Sequence, residues 1–153
     1  MDIVGKIWKI LPANGRRWLT RLFQTSFTAS AAGLITDEKG KVLLLNHVLR
    51  PGSGWGIPGG FLNRGEQPGD TLRREIREET GLEIENIKLA NVRTLERHIE
   101  IIYTGSAVGE AVVSSREITE LAWFQLDEMP AEMSLSQQLL IRSVLSGDNA
   151  RST

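Results

Sequence analysis

The sequence predicts an α/β or α+β sandwich, and three observations carry that expectation. Two apolar, strand-like runs come first, over 27–36 and 42–48. An amphipathic helical stretch follows, opening at Pro68 and closing at Gly81. Further strand-like runs near 87–95, 99–108 and 118–125 then lead to a closing helix that begins after Ser134. Strands, a central helix, more strands and a last helix pack as layers around one core.

Each element has a local reason. Phe27 to Thr36 reads as a buried strand, Asp37-Glu38-Lys39-Gly40 as a turn, and Val42 to Val48 as a strand centred on Leu43-Leu44-Leu45. Leu49 to Gly54 is a loop rich in Gly and Pro. Pro68 suits the first turn of a helix, where its missing N–H costs nothing. Leu72 and Ile76 supply that helix with a buried stripe, and Gly81 suits the left-handed residue that ends it. Ser134 with Gln137 three residues later resembles a capping box, opening a helix expected to turn Leu135, Leu139, Leu140 and Val144 inward.

Ahead of these elements, Ile3, Val4, Ile7, Trp8, Ile10 and Leu11 gather on one side of a helix, with Lys6 and Lys9 opposite. Pro12-Ala13-Asn14-Gly15 interrupts the pattern, and a second short helix is expected over Arg16 to Gln24. The expected division is a basic amphipathic extension over 1–26, a domain over 27–147 and a disordered polar tail over 148–153.

Composition narrows the function classes. A chain of 153 residues with 41% hydrophobic content can bury one adequate core. A net charge of −1 argues against a protein held to long nucleic acid by bulk electrostatics. Zero cysteines exclude a disulfide framework and a thiolate metal site. No run reaches the length of a membrane span, and Lys6, Lys9 and Pro12 interrupt any apolar export signal. A cytoplasmic protein is expected. The basic start has three open roles: packing on its own domain, joining a homodimer interface, or touching an anionic membrane surface.

The chemistry concentrates on the central helix. Glu75, Glu78 and Glu79 stand at i, i+3 and i+4, so they project from one face as close neighbours. Like charges at that spacing repel by about 0.2–0.5 kcal/mol per pair. Glu66, in the loop before the helix, can add a fourth acidic group. A hard divalent cation resolves the repulsion, since Mg²⁺ and Mn²⁺ prefer oxygen ligands. Metal-assisted chemistry on a phosphate is therefore the leading expectation. The bland reading, a solvated face with ion pairs to Arg73, Arg74 and Arg77, has no use for the loop glycines.

Written as a pattern, residues 60–82 are G-x5-E-x7-R-E-U-x-E-E-x-G-U, where U is aliphatic. The run resembles the signature of the Nudix hydrolases, with Gly60, Glu66, Arg74, Glu75, Ile76, Glu78, Glu79, Gly81 and Leu82 filling every fixed position. The flanks, Trp55-Gly56-Ile57-Pro58-Gly59 before and Trp123-Phe124 with Leu126 and Pro130 after, are also similar to the family. Where the family usually has two acids and an alanine, this chain has Gly69, Asp70 and Thr71; the departures at 69 and 71 remove no catalytic group.

The resemblance implies a mixed β-sheet between α-helices and a Mg²⁺- or Mn²⁺-dependent hydrolase of nucleoside diphosphates linked to another moiety. It implies Glu78 and Glu79 as metal ligands, Glu75 as ligand or general base, and Arg74 as the group that orients Glu75. The Gly59 carbonyl and Glu117 are further ligand candidates, with Glu120 competing for the place of Glu117. Trp55 and Phe61 suit either base stacking or packing, and Arg50, Arg93 and Arg97 either substrate phosphates or the surface. His47 and His98 read as surface or satisfied histidines. The expected partner is a small nucleotide: a sugar nucleotide, an ADP-ribose-like compound or a nucleoside triphosphate. The alternative is a non-catalytic nucleotide-sensing or partner-binding module on the same fold.

Overall fold

In a computed structural model, residues 9–10, 12–17, 24–50 and 52–147 are described. The amphipathic stretch expected over 2–11 lies outside them except for residues 9–10, as do Trp18, Leu22, Phe23 and the tail at 148–153. The elements are β1 (Thr28–Thr36), β2 (Val42–His47), β3 (Trp55–Gly56), β4 (Gly59–Phe61), α1 (Pro68–Thr80), β5 (Glu83–Leu95), β6 (His98–Val108), β7 (Ile118–Phe124) and α2 (Leu135–Leu145). Residues 13–17 are also helical.

The strands form one mixed sheet in the order β3-β2-β1-β6-β5. β1 runs parallel to β6 over its whole length, from Thr28 opposite His98 to Thr36 opposite Ser106. Its other edge is divided: β4 pairs with Ser30–Ala32, while β2 meets it only at Thr36 opposite Val42. β7 then pairs with β2. The fork between β2 and β4 lies beside the start of the signature, which is why the site forms there.

Both faces of the sheet are covered, so its central strands are apolar on both sides. Val42 and Leu44 face a core shared with Leu34, Ile102, Met133, Leu140 and Ile141, whereas Leu43 and Leu45 face one shared with Ala31, Ile35, Leu72, Ile76 and Leu82. The period of two along a strand explains why Leu43-Leu44-Leu45 serves both. The expected layering, sheet between α1 and α2, is what the structure has.

Some boundaries and faces differ from expectation. β5 begins at Glu83 instead of near 87, because register shifts between Glu85 and Lys88 and between Leu89 and Asn91 break the alternation that marks a strand. In α2, Leu135 and Leu139 are 67% and 55% exposed, and Ile141 is fully buried in their place. Leu140, Ile141 and Val144 lie within one turn's arc, and Leu135 and Leu139 are rotated off it by about 100° per residue. Gly81 ends α1 as expected, at φ 69° with its N–H donating to the Arg77 carbonyl, and half of the expected capping box forms: Ser134 Oγ accepts from the Gln137 N–H, but Gln137 Oε1 has no partner.

Candidate active site

The site begins with Pro58-Gly59-Gly60, which carries the chain along β1. Gly59 has φ 152°, and a Cβ there would overlap the Ala31 carbonyl. A Cβ on Gly60 would overlap Glu75 Oε1, so only glycine lets α1 bring that carboxylate against β4. These two glycines bind the loop, the sheet and the helix into one frame.

Arg74 organises the acids around it. Its Nε and Nη2 donate to Glu66 Oε1 and Oε2 at 2.9 and 3.1 Å, a bidentate fork. Its Nη1 donates to Glu75 Oε1 at 2.8 Å and reaches Glu78 Oε2 at 3.5 Å. Glu66 Oε2 also accepts from the Asn63 N–H. Arg74 and that N–H hold the Glu66 carboxyl down to about 2. Glu66 therefore anchors Arg74 and does not add a fourth acid to the cage; Arg74 makes its bidentate contact with Glu66 and a single one with Glu75.

Around these groups opens a cleft of about 680 Å³, lined among others by His47, Arg50, Gly59, Glu75, Glu79 and Glu117. Glu79 is only 6% exposed and its Oε2 has no hydrogen-bond partner. Desolvation, with the neighbouring charge of Glu75, pushes its carboxyl up to about 8. His47 Nδ1 lies 3.9 Å from Glu79 Oε1, yet burial and the nearby Arg50 push the imidazole down to about 4. At neutral pH that contact is not an ion pair. Arg50 donates from Nη2 to the Ile57 carbonyl at 3.3 Å, and its buried Nη1 has no partner.

Glu75, Glu79, Gly59, Glu117, Arg50, Arg74 and Phe61 come together in the cleft. Glu120 lies exposed on β7 and takes no part in its lining, whereas Glu117 does. Glu78 has a side chain 60% exposed, points toward Arg74 and does not line the cleft. Trp55, a substrate-contact candidate, takes the packing role instead: it is 8% exposed, edge-on against Phe124 with ring centroids 5.3 Å apart. Arg93 is tied to Glu100, and Arg97 is exposed beside the Ser26 carbonyl.

Two residues that sequence reasoning set aside belong here. His47 lines the cleft with a buried, unpartnered Nε2. His98 is held at both ring nitrogens, 2.8 Å from Thr28 Oγ1 and from Ser30 Oγ, and stands edge-on to Phe61 at 5.5 Å. It braces an aromatic ring that is 65% exposed at the mouth of the cleft. The signal for His98 was pairing across the sheet, invisible until β1 and β6 were aligned.

The donor set suits a hard cation. Glu79 and Glu75 offer carboxylate oxygens, and the orphaned, desolvated Glu79 Oε2 has the environment a bound ion would satisfy. Among the described residues, no three histidine, aspartate or glutamate side chains are grouped closely enough to hold a metal ion by themselves. A backbone carbonyl and substrate oxygens would have to complete the shell, as Mg²⁺ usually requires.

The frame is a layered α/β one, and its cleft is acidic and lined by glycines. A family model described as NUDIX domain matches residues 26–144. The chain is 28% identical over 123 residues to a MutT-like protein from Streptomyces ambofaciens, covering 78% of each. It is 27% identical over 128 residues to an ADP-ribose pyrophosphatase from Methanocaldococcus jannaschii, covering 79% of this chain and 75% of that one. A MutT NUDIX hydrolase structure from Burkholderia pseudomallei superposes with a TM-score of 0.68 at 26% identity, over 76% of this chain and 97% of that one. Other relatives are longer, and the chain spans 35% and 15% of two of them. The chain belongs to the Nudix family and is a hydrolase. Enzymes of this family generally use divalent metal ions.

Proposed function

We propose that the protein is a Mg²⁺- or Mn²⁺-dependent pyrophosphohydrolase that cleaves a nucleoside diphosphate linked to another moiety. The observation that carries this reading is Glu79: a carboxylate desolvated in a cleft, with one oxygen unpartnered, beside a Glu75 fixed by Arg74. In this reading Glu79, Glu75, the Gly59 carbonyl and Glu117 hold the cation, and Glu78 joins after a change of rotamer. When bound, such a cation neutralises phosphate charge and lowers the pKa of attacking water.

The chain's own groups do the rest. Arg74 keeps Glu75 directed at the cleft, where its carboxylate accepts the proton of the attacking water. Water adds to phosphorus, the bridging P–O bond breaks, and a nucleoside monophosphate and a phosphorylated remainder leave. Arg50 Nη1, buried without a partner, donates to a phosphate oxygen. Phe61 offers an exposed ring to the base.

The same reading places the enzyme in the cytoplasm, with a homodimer through the N-terminal segment as its proposed assembly. No described helix is long and apolar enough to cross a membrane. The test is a panel of sugar nucleotides, ADP-ribose, dinucleotides and nucleoside triphosphates with Mg²⁺ and Mn²⁺, read by product mass. Cleavage between phosphates is expected for at least one class. Tight nucleotide binding with no cleavage under either metal would favour the non-catalytic sensing module instead.

A further inference from the structure

Next to the cleft lies a smaller cavity of about 170 Å³, and Arg50 lines both. Arg50 comes from the Gly- and Pro-rich loop after β2, and its Nη2 reaches the Ile57 carbonyl at 3.3 Å, a long bond. Its guanidinium occupies the space beside Gly56 in β3: a Cβ there would overlap Arg50 Nη1. The same Cβ would stand 2.8 Å from Gln137 Oε1, so the arginine donor and the glutamine acceptor lie within about 4 Å of each other. Both atoms are buried, and neither has a hydrogen-bond partner. Buried polar atoms are seldom left unmade, because desolvation without a partner costs folding free energy.

The backbone of Gln137 is fixed in the first turn of α2, where its N–H donates to Ser134 Oγ. Its side chain does not complete the capping box and lines the small cavity instead. Arg50 stands between two carboxylates. Burial lowers the pKa of its guanidinium, while the charges of Glu79 in the cleft and Glu100 on the cavity oppose that shift. An arginine on a loop has many rotamers, and those that miss a bound phosphate weaken its grip. A neighbouring acceptor narrows the choice. Nη1 carries two N–H groups, so one can meet Gln137 while the other meets a phosphate oxygen.

We propose that Gln137 is a positioning residue for substrate: its side-chain carbonyl accepts from Arg50 Nη1 and holds the guanidinium toward the phosphates, in space that Gly56 leaves open. The inference rests on the reading of Arg50 as a phosphate donor in the pyrophosphohydrolase cleft. Methylenediphosphonate carries two phosphonates on a carbon bridge that water does not split, so it probes that role without turnover and without a base. In calorimetric titration of the full chain with Mg²⁺ present, Arg50→Ala should weaken the probe about tenfold. Gln137→Leu should weaken it about three- to tenfold in the wild-type background and less than about twofold in Arg50→Ala, because the two residues act as one unit. Gly56→Ala, whose methyl group displaces the guanidinium, should match Arg50→Ala and add nothing to it. Thermal melting checks that each variant is folded.

On a substrate that the enzyme cleaves, Gln137→Leu should raise KM by about the same factor and leave kcat within about twofold. Wild-type affinity in folded Gln137→Leu, an equal loss in both backgrounds, or no binding of the probe by the wild type would overturn the proposal. The hydrolase reading fails separately. Probe binding coupled between Arg50 and Gln137, with no cleavage of any substrate, keeps the positioning residue and removes the enzyme. Cleavage with an unaltered KM in Gln137→Leu does the reverse.

Discussion

A guanidinium carries its N–H donors in one plane, and Arg74 uses that plane to hold Glu66 and Glu75 and to reach Glu78. Glu66 holds it from the loop, so Glu75 inherits an orientation that a helix surface alone would not provide. If Glu75 takes the proton of the attacking water, Glu75→Gln should lower kcat by about 10²–10⁴-fold with an unchanged melting temperature. Gly60→Ala should cost about 10²-fold in kcat for a steric reason, since its methyl group displaces the Glu75 carboxylate. Glu66 adds a pH signature. Its folded-state carboxyl lies at about 2 against an ordinary 4.5, so its stabilisation is complete above 4.5 and lost as pH falls toward 2. Thermal melts of Glu66→Gln should therefore lie below the wild type at pH 7 and converge on it toward pH 2.

Among the elements, α2 separates what periodicity can and cannot supply. A helix after Ser134 is legible from its cap, but which of six aliphatic residues face inward depends on how the helix is rotated on the sheet. Ile141→Ala should cost about 2–5 kcal/mol, whereas Leu139→Ala should stay within about 0.5 kcal/mol, both read by denaturant unfolding. α1 was legible to the residue because Pro68, Gly81 and the acidic spacing each constrain it independently. β5 was not, because bulges conceal the period of two. In the site, residues adjacent in sequence to the signature were foreseeable. The places of His47 and His98 were not, and the two roles of Trp55 stayed open, because pairings of β2 with β3 and of β1 with β6 decide them. Glu78 shows the limit of spacing: three acids on one helical face need not point into one cleft.

The whole molecule gathers its acids at a fork in the sheet and leaves one of them desolvated. In the metal-free protein, Glu79 at about 8 binds a proton that the unfolded chain, at an ordinary 4.5, would release. Its contribution to stability is thus complete below 4.5 and lost as pH rises toward 8. A bound cation reverses that trend, so the rise in melting temperature given by Mn²⁺ over EDTA should grow between pH 5 and pH 8. Calorimetric titration of Mn²⁺ at pH 7.5 into wild type and Glu79→Gln addresses the cleft itself. Saturable binding in the wild type, weakened about tenfold or more in the variant, is expected when a carboxylate ligand is lost. Equal affinity in the two proteins, or no binding in either, would contradict a cation site built on Glu79.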